Sequence, residues 1–431
     1  MSGSPILILG GGAAGLAAAR RLSAAGVDSV ILESRSRLGG RIVTDRFSTG
    51  ELCDGGPEFL HGSSPLFDEI LQEAGIRSDT MPDRHLVREG NELVETRFGG
   101  EWETIFGRLN DYDGPDLSFA EFLRQFCEDV PADARRMATE YVEGFNAADQ
   151  ELISIRWLRS SEQSVGVDEQ GIRRLQGGYD QVVAALEKSA SRSQIELETD
   201  ITHVSSEPGT GVRVTATRSG GPRTYEGRCA IATFPIGVLQ AGVLRFVPDS
   251  VRRSDAIRGF RMGEIIKAVL LFREPFWRDT LAELGGFLHV PGRTFMTWWP
   301  LGESRVLTGW SGGPRAGAIS RMSTEEIRQV ALDDLAEGFG LPAAEIASHL
   351  VEDWVYNWCQ DPWALGAYSY ATVGHAEAHA PLQAPGPGGL FWAGEATDAT
   401  FPATVAGAIH SGDRAARQAL EWLSSQGAPR T

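Results

Sequence analysis

Of the 40 lysines and arginines in this 431-residue chain, only Lys188 and Lys267 are lysine. Lys188 closes a helical stretch and reads as solvated. Lys267 sits inside the apolar run Ile265-Ile266-Lys267-Ala268-Val269-Leu270-Leu271-Phe272. Two readings stand: a strand lysine whose head reaches solvent, or a buried amine that loses its charge to desolvation and is available for catalysis. In a chain that uses arginine nearly everywhere else, an incidental lysine is the less attractive of the two.

A second set of residues has the spacing of a phosphate cradle. The apolar run Ile6-Leu7-Ile8-Leu9 meets Gly10-Gly11-Gly12-Ala13-Ala14-Gly15, and Leu16 to Leu22 is helix-forming. In a strand-turn-helix unit of this kind Gly10 makes the turn, Gly12 lets backbone approach a pyrophosphate, and Gly15 allows helix to pack on strand. The helix N-terminus adds unpaired N–H groups and the positive end of its dipole. The next strand, Ser29 to Leu32, ends in Glu33, where a carboxylate can hold ribose hydroxyls and repels the 2'-phosphate of NADP. Arg35, Arg37 and Arg41 surround Leu38-Gly39-Gly40, placing guanidinium groups where a doubly charged pyrophosphate could be held. Far away, Leu390-Phe391-Trp392-Ala393-Gly394-Glu395-Ala396-Thr397-Asp398 reads as a short apolar strand ending in Gly-Glu, followed by a helix from Thr404 to Ala416. The arginine cluster and this distant second half select FAD among dinucleotides.

These motifs, in order, resemble the flavin-containing amine oxidase family, which includes monoamine oxidases, polyamine oxidases, L-amino-acid oxidases and lysine-specific histone demethylases. The landmarks are the Gly10 to Gly15 turn, Glu33 to Arg41, Gly56-Pro57-Glu58-Phe59-Leu60-His61-Gly62, Gly177-Gly178-Tyr179, Pro235-Ile236-Gly237-Val238-Leu239, Lys267, Asp361-Pro362-Trp363 through Tyr370, and Ala393-Gly394-Glu395. The resemblance covers nearly the whole chain and is closest in motifs to polyamine oxidases. It implies non-covalent FAD, because Ala367 stands where monoamine oxidases carry the flavin-bonding cysteine. It also implies that Lys267 reaches the flavin N5 through a water, and that Tyr368 forms one wall of an aromatic cage, within a cluster that also holds Trp358, Trp363 and Tyr370. Thr404 replaces the tyrosine of the opposite wall, an opening shared with spermine oxidases and histone demethylases. His61 matches a histidine near the substrate of polyamine oxidases. The cofactor set carried over is Gly10, Gly12, Ala14, Gly15, Glu33, Arg35, Gly40, Arg41, Gly56, Pro57, Glu58, Val204, Trp363, Gly394, Glu395, Thr404 and Val405. Within it, Val204 meets adenine by its backbone, Glu58 contributes by backbone or carboxylate, and Thr404 and Val405 turn backbone N–H groups toward the flavin O2. Arg305 and His289 have no motif behind them.

The elements that must position these residues define an α/β chain. A Rossmann-like FAD-binding domain is expected to be discontinuous, from 1–80, 176–250 and 385–431. An α+β substrate-binding domain with a mixed sheet and helices takes 81–175 and 251–384. Helices are predicted at Ser64 to Gly75, within Phe119 to Ala148, at Asp180 to Lys188 and at Thr324 to Phe339, the last stopped by Gly340-Leu341-Pro342. Strands are predicted at Gln194 to Leu197, Val212 to Thr217, Thr224 to Glu226, Cys229 to Ala232, Ile265 to Phe272, Phe295 to Trp299 and Val306 to Trp310.

Bulk properties exclude several classes. A composition 42% apolar supports a large core, and a net charge of -18 disfavours nucleic acid or anionic membrane while attracting cationic substrates. Cys53, Cys127, Cys229 and Cys359 are scattered, so neither disulfide framework nor metal site is indicated. There is no basic leader, no 18-residue apolar run, and the polar tail Gln426 to Thr431 lacks the anchor of mitochondrial monoamine oxidases. The resulting expectation is a cytoplasmic oxidase, with a homodimer in view, that converts the C–N bond of a polyamine or related alkylamine to an imine and O2 to H2O2. The rivals are an L-amino-acid, arylalkylamine or monoamine oxidase on the same scaffold, and, from another class, a non-catalytic flavoprotein. Histone demethylation is disfavoured, because the chain leaves no room for the long helical insertion.

Overall fold

The computed structural model describes residues 4–82, 84–90, 92–96, 101–165, 171–207, 209–278 and 286–427. The tail expected at Gln426 to Thr431 falls outside them from residue 428 on.

A five-stranded parallel sheet has the order Ser193–Glu196, Ser29–Leu32, Ile6–Leu9, Ala230–Ala232, Leu390–Trp392. The first and last portions of the chain thus meet in one sheet. Side chains alternate across it, as a strand period of two requires. Ile6 and Ile8 pack on the helices Ala13–Ala24, Asp180–Ser189 and Val405–Gly427, while Leu7 and Leu9 pack on Val204, Val212 and Val214 of a second sheet. That sheet has the order Gly221–Gly227, Gly211–Arg218, Thr199–Glu207, Arg245–Val247. Burial on both faces explains why the parallel strands are continuously apolar.

The other large sheet is mixed and seven-stranded, in the order Leu350–Asn357, Ile265–Phe272, Val306–Gly312, Thr297–Pro300, Phe287–His289, His85–Glu89, Glu92–Thr96. All eight residues of Ile265–Phe272 are buried, and the strand is hydrogen-bonded on both sides. Ile266, Ala268, Leu270 and Phe272 face helix Thr324–Phe339, whereas Val269 and Leu271 face Phe47 and Cys53. The odd-numbered set, with Lys267 in it, therefore looks back toward the first half of the chain. Helices Glu101–Asp111, Phe119–Phe126, Ala132–Phe145 and Ile155–Val165 form a separate helical cluster.

Several boundaries differ from the sequence expectation. The first helix begins at Ala13 and the last runs on to Gly427. Phe295 lies before the strand that starts at Thr297, with its N–H on Asp334 at 2.8 Å. No helix among the described residues is long and apolar enough to cross a membrane.

Candidate active site

One cavity of about 1240 Å³ runs from the Gly10 turn past Lys267 to the helix Ala132–Phe145. At its first end Gly10 has φ +119°, and a Cβ there would collide with Thr233. A Cβ on Gly15 would strike the Gly10 carbonyl, so the helix lies directly on the turn. Gly12 differs: the nearest protein atom to its missing Cβ is the Gly40 Cα at 3.9 Å, which leaves a cradle facing the cavity. Helix Ala13–Ala24 has no side-chain cap, so its first N–H groups remain for an anion. Glu33 accepts Gly11 N at 2.6 Å and Arg35 N at 2.9 Å, and burial raises its pKa despite those bonds. Gly12, Ala14, Gly40 and Glu33 all line this end, and the cradle fits a dinucleotide pyrophosphate and ribose.

The arginines divide the work differently from expectation. Arg35 makes a two-point bond to Asp361, at 2.9 and 2.7 Å, and lies 5.0 Å over the ring of Trp363. Arg37 caps the carbonyls of Leu38, Gly40 and Ile42. Both guanidiniums thus brace the loop, and Arg35 also lines the cavity whereas Arg37 does not. Arg41 lines the cavity, bonded through one nitrogen to Ala367 O at 2.6 Å and Glu395 at 3.0 Å. Glu395 is buried and its second oxygen takes Ser369 Oγ at 2.7 Å. Val204 is also corrected: it sits in a central strand, laddered on both sides, with its side chain in the core between sheets. The same strand reaches the cavity at Asp200, Ile201 and Thr202.

At the middle of the cavity Lys267 is 1% exposed, which excludes the solvent-facing reading. Its ammonium donates to the carbonyls of Asp54 and Gly56 and to Glu58 Oε2 at 2.7 Å, so its three donors meet three acceptors. It thus sits in a buried ion-pair geometry with Glu58. Glu58 also takes Trp299 Nε1 at 3.0 Å and meets Arg174 at 2.6 Å. Burial alone raises the Glu58 pKa, but the Lys267 and Arg174 charges outweigh it and the net shift is downward. Glu58 lines the cavity, and its carboxylate is held by Lys267, Trp299 and Arg174. Gly56, Pro57 and Gly394 line the same stretch.

Beyond Lys267 the walls are aromatic. Tyr368 donates to Phe145 O at 2.6 Å, and burial raises its pKa. His61 meets the Phe145 ring edge-on at 5.3 Å, and burial without a charged partner pushes its pKa down to about 4. Thr404 lines the opposite side, its hydroxyl bonded to Phe401 O at 2.8 Å and accepting Gly407 N at 3.0 Å. Its hydroxyl is thus engaged in capping the last helix, and Val405 lines the cavity beside it. Of the expected aromatic cluster, Trp358, Trp363 and Tyr368 line the cavity and Tyr370 does not. Sequence reasoning missed Phe59, Tyr141, Phe145, Phe287, Trp299 and Trp310, and set aside His289, which pairs with His85 at 2.8 Å in the wall. They come from scattered elements and share no motif. Helix Ala132–Phe145 was legible only through its apolar spacing, Ala134, Ala138, Tyr141, Val142 and Phe145; the residues it turns to the cavity, Asp133, Arg136, Met137, Glu140, Tyr141 and Gly144, are mostly polar.

A split parallel sheet with an uncapped helix at a glycine turn, joined by one cavity to a buried lysine in an aromatic chamber, defines a dinucleotide-dependent oxidoreductase. Residues 13–420 match the model for flavin containing amine oxidoreductases, and the chain belongs to that family. Polyamine oxidase 3 of Oryza sativa subsp. japonica is 30% identical over 453 residues, covering 96% of this chain and 88% of that protein. Protein FLOWERING LOCUS D of Arabidopsis thaliana is 28% identical over 463 residues, covering 99% of this chain and 56% of that protein. The chain thus spans about half the length of several relatives it matches. Among solved structures, cyclohexylamine oxidase from Brevibacterium oxydans IH-35A superposes with a TM-score of 0.80 at 21% identity, covering 98% of this chain and 99% of that one. At that identity the likeness establishes the fold.

Proposed function

We propose that the protein oxidises a C–N bond of a polyamine or related alkylamine, with FAD held non-covalently. The observation that carries this reading is the single cavity joining the Gly12 cradle, Lys267 and the aromatic chamber. Bound flavin supplies the acceptor for the hydride equivalent lost from the carbon beside nitrogen. The imine so formed takes water to give an aldehyde and an amine, and O2 takes up the two electrons as H2O2. Gly12, Ala14 and the N-terminus of helix Ala13–Ala24 would hold the pyrophosphate, Glu33 the ribose, and the Thr404 and Val405 backbone the flavin carbonyl edge. Tyr368, Phe145, Tyr141 and His61 exclude water around the amine and orient it. Aromatic faces also attract a cationic amine. Non-covalent attachment is supported by Ala367 on the cavity wall and by a lining that, among the described residues, holds no cysteine.

The division of labour between 1–80, 176–250 and 385–431 for the cofactor and 81–175 and 251–384 for the amine belongs to the same proposal. So do a cytoplasmic setting without nucleic acid or membrane partners, supported by the charge of -18, and assembly as a homodimer. A second reading, an arylalkylamine substrate, is favoured by the aromatic lining itself. The test is anaerobic bleaching of the bound flavin by polyamines, arylalkylamines and L-amino acids, followed by air. Bleaching by spermine or spermidine with peroxide on reoxidation is expected. Reduction only by arylalkylamines or amino acids selects a rival, and no bleaching at all leaves a non-catalytic flavoprotein. Acid precipitation should release the yellow chromophore to the supernatant, and flavin retained in the pellet contradicts non-covalent binding.

A further inference from the structure

An amine meets the enzyme mainly as an ammonium near neutral pH, and an ammonium has no lone pair to assist loss of hydride from its carbon. A proton must therefore leave before oxidation. Lys267 cannot take it, because its three donors already meet three acceptors. Of the carboxylates along the substrate half, Glu58 is paired with Lys267 and Arg174, Asp68 with Arg173, Asp133 with Arg136, and Glu140 with Arg136 and Arg315, while Glu89 is exposed to solvent at the end of its strand.

Glu162 differs from these. It lies on helix Ile155–Val165, whose Trp157 and Ser161 line the cavity. Its Oε2 accepts the Tyr141 hydroxyl at 2.9 Å, and the Asn146 side chain lies beside it and favours its charged form. Among the described residues it has no ion-pair partner. Tyr141 is itself a wall residue, stacked on Phe145 with centroids 5.2 Å apart, and the Phe145 carbonyl holds the Tyr368 hydroxyl. One phenol thus separates the amine chamber from an unpaired acid.

We propose that Glu162, through Tyr141, is the base that takes the proton of the incoming ammonium. The ammonium proton passes to the Tyr141 oxygen as the phenol proton passes to Glu162 Oε2. The amine is left neutral with its lone pair, Tyr141 is restored, and no electrons move. Burial raises the Glu162 pKa, and no charged side chain contributes to that shift; the groups facing it are Tyr141 and Asn146, with Tyr368 beyond Tyr141. By whole-residue surface Glu162 is only half-buried, yet its carboxyl is desolvated enough to bind a proton more readily than a free carboxylate.

The inference rests on amine oxidation as proposed above, and the experiment separates the two. Glu162→Gln keeps an acceptor for Tyr141 and loses the base; Tyr141→Phe keeps the ring and loses the relay. The pH dependence of anaerobic flavin reduction by the best amine is measured for all three proteins. Both variants should fall by about 100-fold near neutral pH and return to the wild-type rate near pH 10–11, where about half or more of the amine is already neutral in solution. A second readout needs no turnover: the wild type should bind an amine lacking α-hydrogens in its neutral form with no proton released to solvent, whereas either variant should hold it as the ammonium or release about one proton per amine to bind it neutral. Variants that match the wild type at every pH, or that lose the same factor at every pH, overturn the inference. So does a wild type that releases the proton to solvent, a result that stands even if neither variant folds. A wild type that neither binds nor is bleached by any amine removes the amine oxidase reading, and the role of Glu162 with it.

Discussion

At the scale of single residues, the buried Lys267–Glu58 pair ties stability to pH. Removing one member of a buried ion pair leaves the other charge in a poor medium, at a cost of about 3–5 kcal/mol. Glu58→Gln should destabilise the flavin-bound protein by about 3 kcal/mol at neutral pH in denaturant unfolding, since Lys267 keeps only two carbonyls and an amide. The Glu58 pKa is lowered on folding, so its contribution is complete above the unfolded value of about 4.3 and is lost as pH falls through the folded value. The gap between wild type and Glu58→Gln should therefore close under acid. Lys267→Met removes a buried cation from the cavity wall and should slow flavin reduction or its reoxidation by O2, and a variant normal in both steps would remove Lys267 from the mechanism. Sequence alone exposed Lys267 because a polar residue in an apolar strand is a local anomaly. It did not expose Arg174, Trp299 or Glu162, whose roles depend on partners more than a hundred residues away or on a neighbouring helix, nor could it tell that Asp361 engages Arg35.

At the scale of elements, the joining of the two chain ends depends on helix Val405–Gly427 crossing helix Ala13–Ala24. The crossing is made at Gly412, where a Cβ would collide with the backbone carbonyl of Ala14. Backbone cannot retreat as a flexible side chain does, so the helices must separate or tilt. The N-termini of both helices line the cofactor end of the cavity. Gly412→Val is accordingly predicted to lower flavin content, read from the visible absorbance per protein, more than it lowers secondary structure in circular dichroism. Unchanged flavin content would show that the crossing does not set the cradle. Elements whose local pattern agrees with their tertiary setting were legible: Ile265–Phe272 as a buried strand, and Thr324–Phe339 between its Ser323 capping box and Gly340 in the left-handed region. The hairpin His85–Glu89 with Glu92–Thr96 and the strand Leu350–Asn357 were not, because they extend a sheet at its edges with little of the alternation that marks a strand.

For the whole molecule, burial along the cavity lowers the pKa of His61 and His289, which ties stability to pH. The pKa of His61 falls to about 4 through burial, and that of His289 to about 3 through burial and the neighbouring His85. Both normally titrate near 6.5. As pH drops below that value the unfolded chain takes up protons that the folded chain refuses, so these groups favour unfolding increasingly until their folded values are reached. His410, raised by its bond to Asp398, acts in the opposite sense: its stabilising contribution is present below 6.5 and fades as pH rises through its folded value. Buried carboxyls such as Glu33 and Asp54, raised by desolvation, also favour the folded state as pH falls toward the range where they protonate. The total slope therefore mixes signs, and a difference between variants isolates the cavity. His61→Gln removes one of the refusing groups, so its stability relative to wild type should rise as pH is lowered from about 7 to about 4.5, with most of the change below 6.5. Urea unfolding of the two proteins across that range measures it. A difference that is constant with pH would mean that His61 titrates normally, and hence that water reaches the chamber in which the amine must lose its proton.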